Sequence, residues 1–448
     1  MNIKNSFANF KKGSTYSSLL LAITQSIIAL FFILFDFIFS KSLTVEQFGY
    51  WKEMFFLINL GIPLLSFGIP EGYKYYLAKE GKHKVIFSNT LITFFIISFF
   101  LAIILIIFNA LHYFNWIDLN KYYLISLFFP IAYLASNINR TLRYGYINES
   151  KVPLHSRITL ICYLLTLVLT IIIYFYLNQL KSHFLLIGVL LFIALYAFPI
   201  YVLIKKAKLV FKPKWFNKAF IKKVLKQGLP LYLATFIGTI SVNLDKSIVS
   251  IFEDKETFAI FSVGALEIPI FAMLSAAFSQ NIYPKLVKLI NSDKKEDAKN
   301  LWISTTKKVS YFTYPLLLIL MIFSKEIIFF IYNENYQESV LIFQTYLLIG
   351  LVRNNYYGAL ITASGQTKYI TLYSVSMLSL NLILSLILYS YLGIFGIVLA
   401  SLFSTLFIQF LQLNHEKMIR KYIVDFLMDF KIATLILVIF SSYLWQIL

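Results

Sequence analysis

Residues 91–108 read Leu-Ile-Thr-Phe-Phe-Ile-Ile-Ser-Phe-Phe-Leu-Ala-Ile-Ile-Leu-Ile-Ile-Phe, with no charge and only two small hydroxyls. A helix rises about 1.5 Å per residue, so a stretch of this length approaches the roughly 30 Å of a bilayer's hydrocarbon core. The run is apolar on every face, whereas a strand of a transmembrane barrel alternates between a lipid face and a polar inner face. It therefore predicts a membrane-spanning helix.

Working outward from it, similar runs recur along almost the whole chain, at about 17–40, 53–72, 85–110, 122–147, 156–177, 184–204, 227–252, 257–284, 309–332, 339–363, 369–389, 394–413 and 432–448. The expected fold is an all-α, polytopic integral membrane protein with twelve core spans in two six-helix lobes and a short C-terminal thirteenth span. Composition agrees: of 448 residues, 59% are hydrophobic and only 14% are charged, against about a quarter charged in an ordinary soluble domain. A water-soluble globule and a disordered chain are both excluded. The first span is longer than a signal-peptide core and lacks a small-residue cleavage pattern, so it is read as an anchor.

The formal charge of +19 could suggest nucleic acid. With the N-terminus placed in the cytoplasm, however, 32 of the 40 Lys and Arg residues fall in internal segments and six in external loops. That asymmetry is the positive-inside pattern, and it assigns most of the charge to topology, leaving no call for a nucleic-acid partner. The largest internal loop, 205–226, carries nine lysines and separates an N-lobe (1–204) from a C-lobe (227–413), with a cytoplasmic segment and extra span over 414–448. Within it Trp215, Phe216, Ala219, Phe220 and Val224 recur at helical spacing, which suits an amphipathic helix on an anionic leaflet or else a plain solvated loop. Two halves of six spans each would be parallel repeats. Glu46-Gln47-Phe48-Gly49-Tyr50 faintly matches Glu256-Thr257-Phe258-Ala259-Ile260.

Classes of chemistry fall away next. The single Cys162 and five scattered histidines offer neither a disulfide framework nor a metal-ligand spacing. There is no phosphate-cradling Gly-x-x-x-x-Gly-Lys, no His-Glu-x-x-His, and no external loop long enough for a folded domain. Neither an enzyme, nor a cofactor, nor a metal site is expected. What remains is a set of ionisable residues at membrane depth, each costing about 2.5–3.5 kcal/mol on insertion scales unless it meets a partner or a wet cavity. Arg353 lies about fifteen residues into the tenth span beside Asn354 and Asn355, where a guanidinium suits a phosphate. Its alternative role is a structural pair with Glu267 or Asp36. Lys246, Arg140 and Arg143 are further anion candidates, the arginines equally readable as interfacial anchors. Glu267, Asp36 and Asp245 are candidate ion-coupling or gating carboxylates. Pro63 with Gly61, and Pro130, Pro199 and Pro315, interrupt spans as in helices that bend. The tyrosine clusters are read first as interfacial belts rather than sugar platforms.

Several segments, in order, resemble one family. Leu43-Thr44-Val45-Glu46-Gln47-Phe48-Gly49-Tyr50, Gly228-Leu229-Pro230-Leu231, Asp245-Lys246, Tyr283-Pro284-Lys285-Leu286, Asn335-Tyr336, Ala363-Ser364-Gly365-Gln366-Thr367-Lys368, Asn381 and Gly393-Ile394-Phe395-Gly396 look like landmarks of the polysaccharide and O-antigen flippases of the MOP exporter superfamily. Thr44-Val45 and Lys246 depart from the family's usual residues at those places. The resemblance implies two lobes about a central cavity, working by alternating access in a bacterial cytoplasmic membrane. Its implied cargo is an oligosaccharide on an undecaprenyl pyrophosphate carrier, and its implied partners are membrane lipids, a polysaccharide polymerase and a chain-length regulator. Arg353, Lys246, Arg140 and Arg143 would then meet the pyrophosphate. A cation-coupled multidrug antiporter of the same superfamily is the alternative, followed by a membrane polymerase or glycosyltransferase.

Overall fold

A computed structural model describes residues 14–81, 83–113, 123–149, 151–180, 184–209, 212–266, 268, 271, 282–353 and 357–418. Glu267 and the expected span at 432–448 lie outside these residues. The described residues are predominantly helical, with no strand among them. In chain order the helices are α1 (Ser14–Ser42), α2 (Val45–Leu64), α3 (Ile69–Glu80), α4 (His83–Tyr113), α5 (Tyr123–Asn148), α6 (Val152–Leu180), α7 (Phe184–Ala207) and α8 (Lys218–Phe252), then α9 (Lys255–Gly264), α10 (Lys295–Ile322), α11 (Ser324–Ile331), α12 (Ser339–Arg353), α13 (Ala359–Ala363), α14 (Thr367–Leu392) and α15 (Ile394–His415). Among the described residues, α4, α6, α14 and α15 each contain a stretch long and apolar enough to cross a membrane, and the bent pairs α2–α3 and α10–α11 raise the number to six. The chain divides into two compact units, Met1–Thr239 and Ile240–Leu448.

The caps follow from local chemistry. Thr44 and Gln47 satisfy each other's backbone N–H at the start of α2, a reciprocal capping box. Asp254 accepts from the Thr257 N–H at the start of α9.

In the first unit α2 and α3 form a span broken by 51°. Pro63 cannot donate to the preceding turn, and Gly68 takes a left-handed conformation with φ 73°. Carbonyls freed at such a break need new donors in an apolar medium, and two tyrosines supply them. Tyr133 of α5 donates to Leu65 O at 3.1 Å, and Tyr232 of α8 donates to Leu64 O. Glycines then let α8 lie against the break: a Cβ on Gly228 would overlap the Gly68 carbonyl oxygen, and one on Gly72 the Val224 carbonyl oxygen. In the second unit α14 and α15 form a tight hairpin. It turns at Gly393, which has φ 57°.

The basic segment 205–226 takes a different form from a separate surface helix. After α7 the chain makes a 3-10 turn at Pro213–Trp215, and Asn217 accepts from the Phe220 N–H as α8 begins. Residues 218–226 are the first turns of the 35-residue α8, because Gly228 and Pro230 do not interrupt a helix whose other residues favour continuation. The segment before it is latched to α4. Ser88 Oγ and the Lys212 backbone exchange bonds of 3.0 and 3.1 Å, while buried Asn89 donates to Trp215 O at 2.8 Å and accepts from the Asn217 N–H at 2.7 Å. Asn89→Ala strands one carbonyl and one N–H, at about 1–3 kcal/mol of lost stability. The expected result is faster trypsin cleavage after Lys214 in the purified protein, and a cleavage rate equal to wild type contradicts the latch.

Candidate functional site

The charged groups buried in the first unit are mostly paired. Asp36 of α1 accepts from Lys52 of α2 at 2.5 Å, so this candidate coupling carboxylate has a fixed counter-ion. Arg140 of α5 bonds Glu71 of α3 at 2.5 Å and reaches Tyr144 Oη at 3.4 Å. Much of its capacity for an external anion is thereby taken up. At the turn after α5, Glu149 bonds His83 at 2.7 Å and Lys151 at 2.8 Å. Burial works to raise the Glu149 carboxyl, but the bonds from Lys151 and His83 outweigh it and hold the group below its ordinary pKa. Arg143 is different. Its guanidinium lies 5.8 Å over the Tyr144 ring, and no described carboxylate pairs with it.

In the second unit the chemistry centres on Asp245, in the last third of α8 and only 5% exposed. Its Oδ2 accepts from Ser401 Oγ of α15 at 2.5 Å and from Tyr346 Oη of α12 at 2.6 Å. Its Oδ1 accepts from Asn381 Nδ2 of α14 at 3.1 Å. Asn381 is itself held, donating to Ser401 Oγ at 3.0 Å and accepting from Ser385 Oγ at 3.1 Å. Among the described residues all of these donors are neutral, and no lysine or arginine pairs with the carboxylate. The hydroxyl and amide neighbours of the carboxylate can each reverse from donor to acceptor. Such a cage gathers a carboxylate and several hydroxyl and amide oxygens that suit a small cation.

Arg353 is the last residue of α12, exposed, with Nη2 3.5 Å from Thr405 Oγ1 of α15. No described carboxylate pairs with it, and Asp36 is engaged by Lys52. Gln409 donates to Val352 O at 2.6 Å, which fixes the end of α12 and so the base of the arginine. Lys246 is half-buried in α8 beside Asp245. Sequence reasoning found Asp245 through the cost of a charge in hydrocarbon. It missed Tyr346, Ser385 and Ser401, which are unremarkable hydroxyls in their own spans, and it missed Glu71 as Arg140's partner and the fully buried Glu53.

The described chain is thus helical, in two units, with several helices long and apolar enough to cross a membrane. Solved structures bear the fold out. The lipid II flippase MurJ in an inward closed conformation aligns with a TM-score of 0.67 and 17% identity, covering 96% of this chain and 99% of its own. An inward-facing multidrug resistance MATE transporter of the MOP superfamily aligns with a TM-score of 0.65 and 16% identity, covering 91% and 98%. A MOP superfamily transporter from Pyrococcus furiosus aligns with a TM-score of 0.60 and 16% identity, covering 92% and 96%. A search of curated proteins returned no significant match. The sequence profile of the polysaccharide biosynthesis protein family matches residues 38–341, and the chain belongs to that family. It is a multi-pass membrane protein with the fold of the MOP superfamily.

Proposed function

We propose that the protein is a flippase that moves undecaprenyl-pyrophosphate-linked oligosaccharide units from the cytoplasmic to the outer leaflet of a bacterial cytoplasmic membrane, by alternating access. The observation that carries this reading is one conjunction: a polysaccharide biosynthesis family over residues 38–341 on a fold shared with a lipid flippase over 96% of the chain. Physical chemistry supports the need. Sugar hydroxyls and a diphosphate cannot cross hydrocarbon unsatisfied, whereas a polyprenyl tail can remain in lipid throughout. Outward movement of the anion is favoured by an inside-negative potential, by about 2.3 kcal/mol per charge per 100 mV.

In this reading the N-terminus is cytoplasmic, as the distribution of lysine and arginine supports. Arg353 of the second unit, which no described carboxylate neutralises, is the first candidate to meet the diphosphate, with Lys246 adding positive charge in the same unit, and Arg143 is a separate candidate in the first unit. Arg140, tied to Glu71, and Asp36, tied to Lys52, act as gating pairs that open and close with the cycle. Asp245 takes up the coupling ion, a role for which Glu267 is the other candidate. A polymerase and a chain-length regulator consume the product on the outer side.

Deleting the gene is expected to abolish surface polysaccharide and to leave its lipid-linked repeat unit in the cytoplasmic leaflet, inaccessible to a lectin or glycosidase added to intact cells. Normal polymer in the deletion strain contradicts the reading. The multidrug antiporter remains the second reading, favoured by the MATE-like fold and by the caged carboxylate. It expects loss of cationic dye efflux in the same strain.

A further inference from the structure

At the end of the first unit where α5 turns into α6, three side chains on the opening turns of α6 are buried and unsatisfied together. His155 is 4% exposed, Ser156 1% and Thr159 4%. Neither ring nitrogen of His155, nor Ser156 Oγ, nor Thr159 Oγ1 has a hydrogen-bond partner among the described residues. The histidine is not loosely placed. Its ring lies 5.8 Å from that of Tyr146, whose hydroxyl donates to Leu203 O of α7 at 2.8 Å, and the turn is closed by Lys151 N donating to Tyr146 O at 2.8 Å.

Hydroxyls in an apolar helix ordinarily satisfy themselves by donating to the carbonyl one turn back. Further along the same helix they do so: Thr166 donates to Cys162 O at 2.9 Å and Thr170 to Thr166 O at 2.8 Å. Ser156 and Thr159 do not, and their donors are left for something else. An unmatched buried polar group costs about 1–3 kcal/mol, so four such atoms within two turns are an unlikely outcome of packing alone. The charge nearby sets the sign of what they meet. Arg143 of α5 stands one turn before Tyr146, whose ring packs 5.8 Å from that of His155. Two acidic groups of the first unit are engaged elsewhere, Glu149 by His83 and Lys151, and Glu71 by Arg140. The sequence then has no Asp or Glu from residue 150 to residue 244.

We propose that Arg143, His155, Ser156 and Thr159 form a binding site for a phosphate-class oxyanion. All four can donate, and a tetrahedral oxyanion offers several acceptor oxygens to a guanidinium, an imidazole and two hydroxyls at once. Two sources share this chemistry, free phosphate or diphosphate and the headgroup of a lipid diphosphate, and the second rests on the flippase reading.

The test uses the purified full chain in phosphatidylcholine nanodiscs, with the thermal unfolding midpoint followed against inorganic pyrophosphate and, separately, against undecaprenyl pyrophosphate. Both are expected to raise the midpoint. Arg143→Gln and His155→Phe should each weaken the response about tenfold, Thr159→Val less, and Thr166→Val not at all, since its hydroxyl is already satisfied. His155→Phe removes two unsatisfied atoms, so its ligand-free midpoint should match or exceed wild type. Should that variant fail to fold, Thr159→Val, isosteric with the native residue, carries the test. A response to pyrophosphate alone supports the site with a soluble anion as its source. No response to either probe, or wild-type affinity in all three site variants, overturns it. The flippase reading fails separately, by normal polymer in the deletion strain, an assay that does not read this site.

Discussion

Asp245→Asn leaves the protein folded and in the membrane but lowers polysaccharide export by about 5–150-fold, the range of a typical coupling free energy. The structure explains why fold and function separate here. The carboxylate accepts from Ser401, Tyr346 and Asn381. An amide of the same shape still offers one acceptor, and the two hydroxyls can rotate to receive its N–H groups. What the amide cannot do is carry a negative charge, and in the proposed reading the grip on the coupling ion goes with it. Asp245→Ala is the contrasting variant. It strands three donors in the apolar interior, each at about 1–3 kcal/mol, and should appear as low abundance in the membrane as well as lost export. Export measured alongside protein abundance distinguishes the two. Wild-type export by Asp245→Asn removes Asp245 from the transport cycle.

The second large effect is on stability. Gly228→Ala should destabilise the purified protein by about 3 kcal/mol, at the upper end of the usual cost of overpacking. The new methyl group meets the carbonyl of Gly68, which is backbone and cannot swing aside, and Gly68 itself sits at φ 73° with the Gly228 carbonyl 2.6 Å from where its own Cβ would be. Relief requires α8 to move off the α2–α3 break, which pulls Tyr232 from the Leu64 carbonyl. Gly238→Ala and Gly350→Ala are internal controls, because a Cβ at either position meets nothing within 4 Å. Alanine there should be neutral or stabilising by up to about 1 kcal/mol, through helix propensity. Thermal unfolding of the three variants in one detergent makes the comparison, and equal midpoints contradict a tight seam between α8 and the break.

How far the molecule could be read from its sequence depended on the range of the interaction. The uncharged run 91–108 announces α4, and Pro63 with Gly61 announces an interruption near Leu65, because both effects act within a few neighbouring residues. The start of α8 was less legible. Nine lysines between 205 and 226 look like a loop or a surface helix. What shapes the segment ahead of α8 is the latch from Ser88 and Asn89, more than 120 residues earlier. The site shows the same division. Asp245 stands out alone, since a charge in hydrocarbon is expensive wherever its partners are. Those partners lie 101, 136 and 156 residues away, and a serine or tyrosine in an apolar helix carries no local mark of its role. Arg140 likewise suited an anion until Glu71, 69 residues earlier, turned out to hold it. His155 is one of five scattered histidines in the sequence, and only burial without a described partner distinguishes it.

The most direct measurement is the leaflet of a lipid-linked oligosaccharide in vesicles containing the purified protein, read as the fraction of undecaprenyl-pyrophosphate-linked sugar that an external glycosidase can reach over time. Wild-type protein should bring the protected inner-leaflet fraction out at a rate far above that of protein-free vesicles, and Asp245→Asn should return it to near that background. A protected fraction that stays protected in wild-type vesicles, while a cationic dye is moved in the same preparation, contradicts the account.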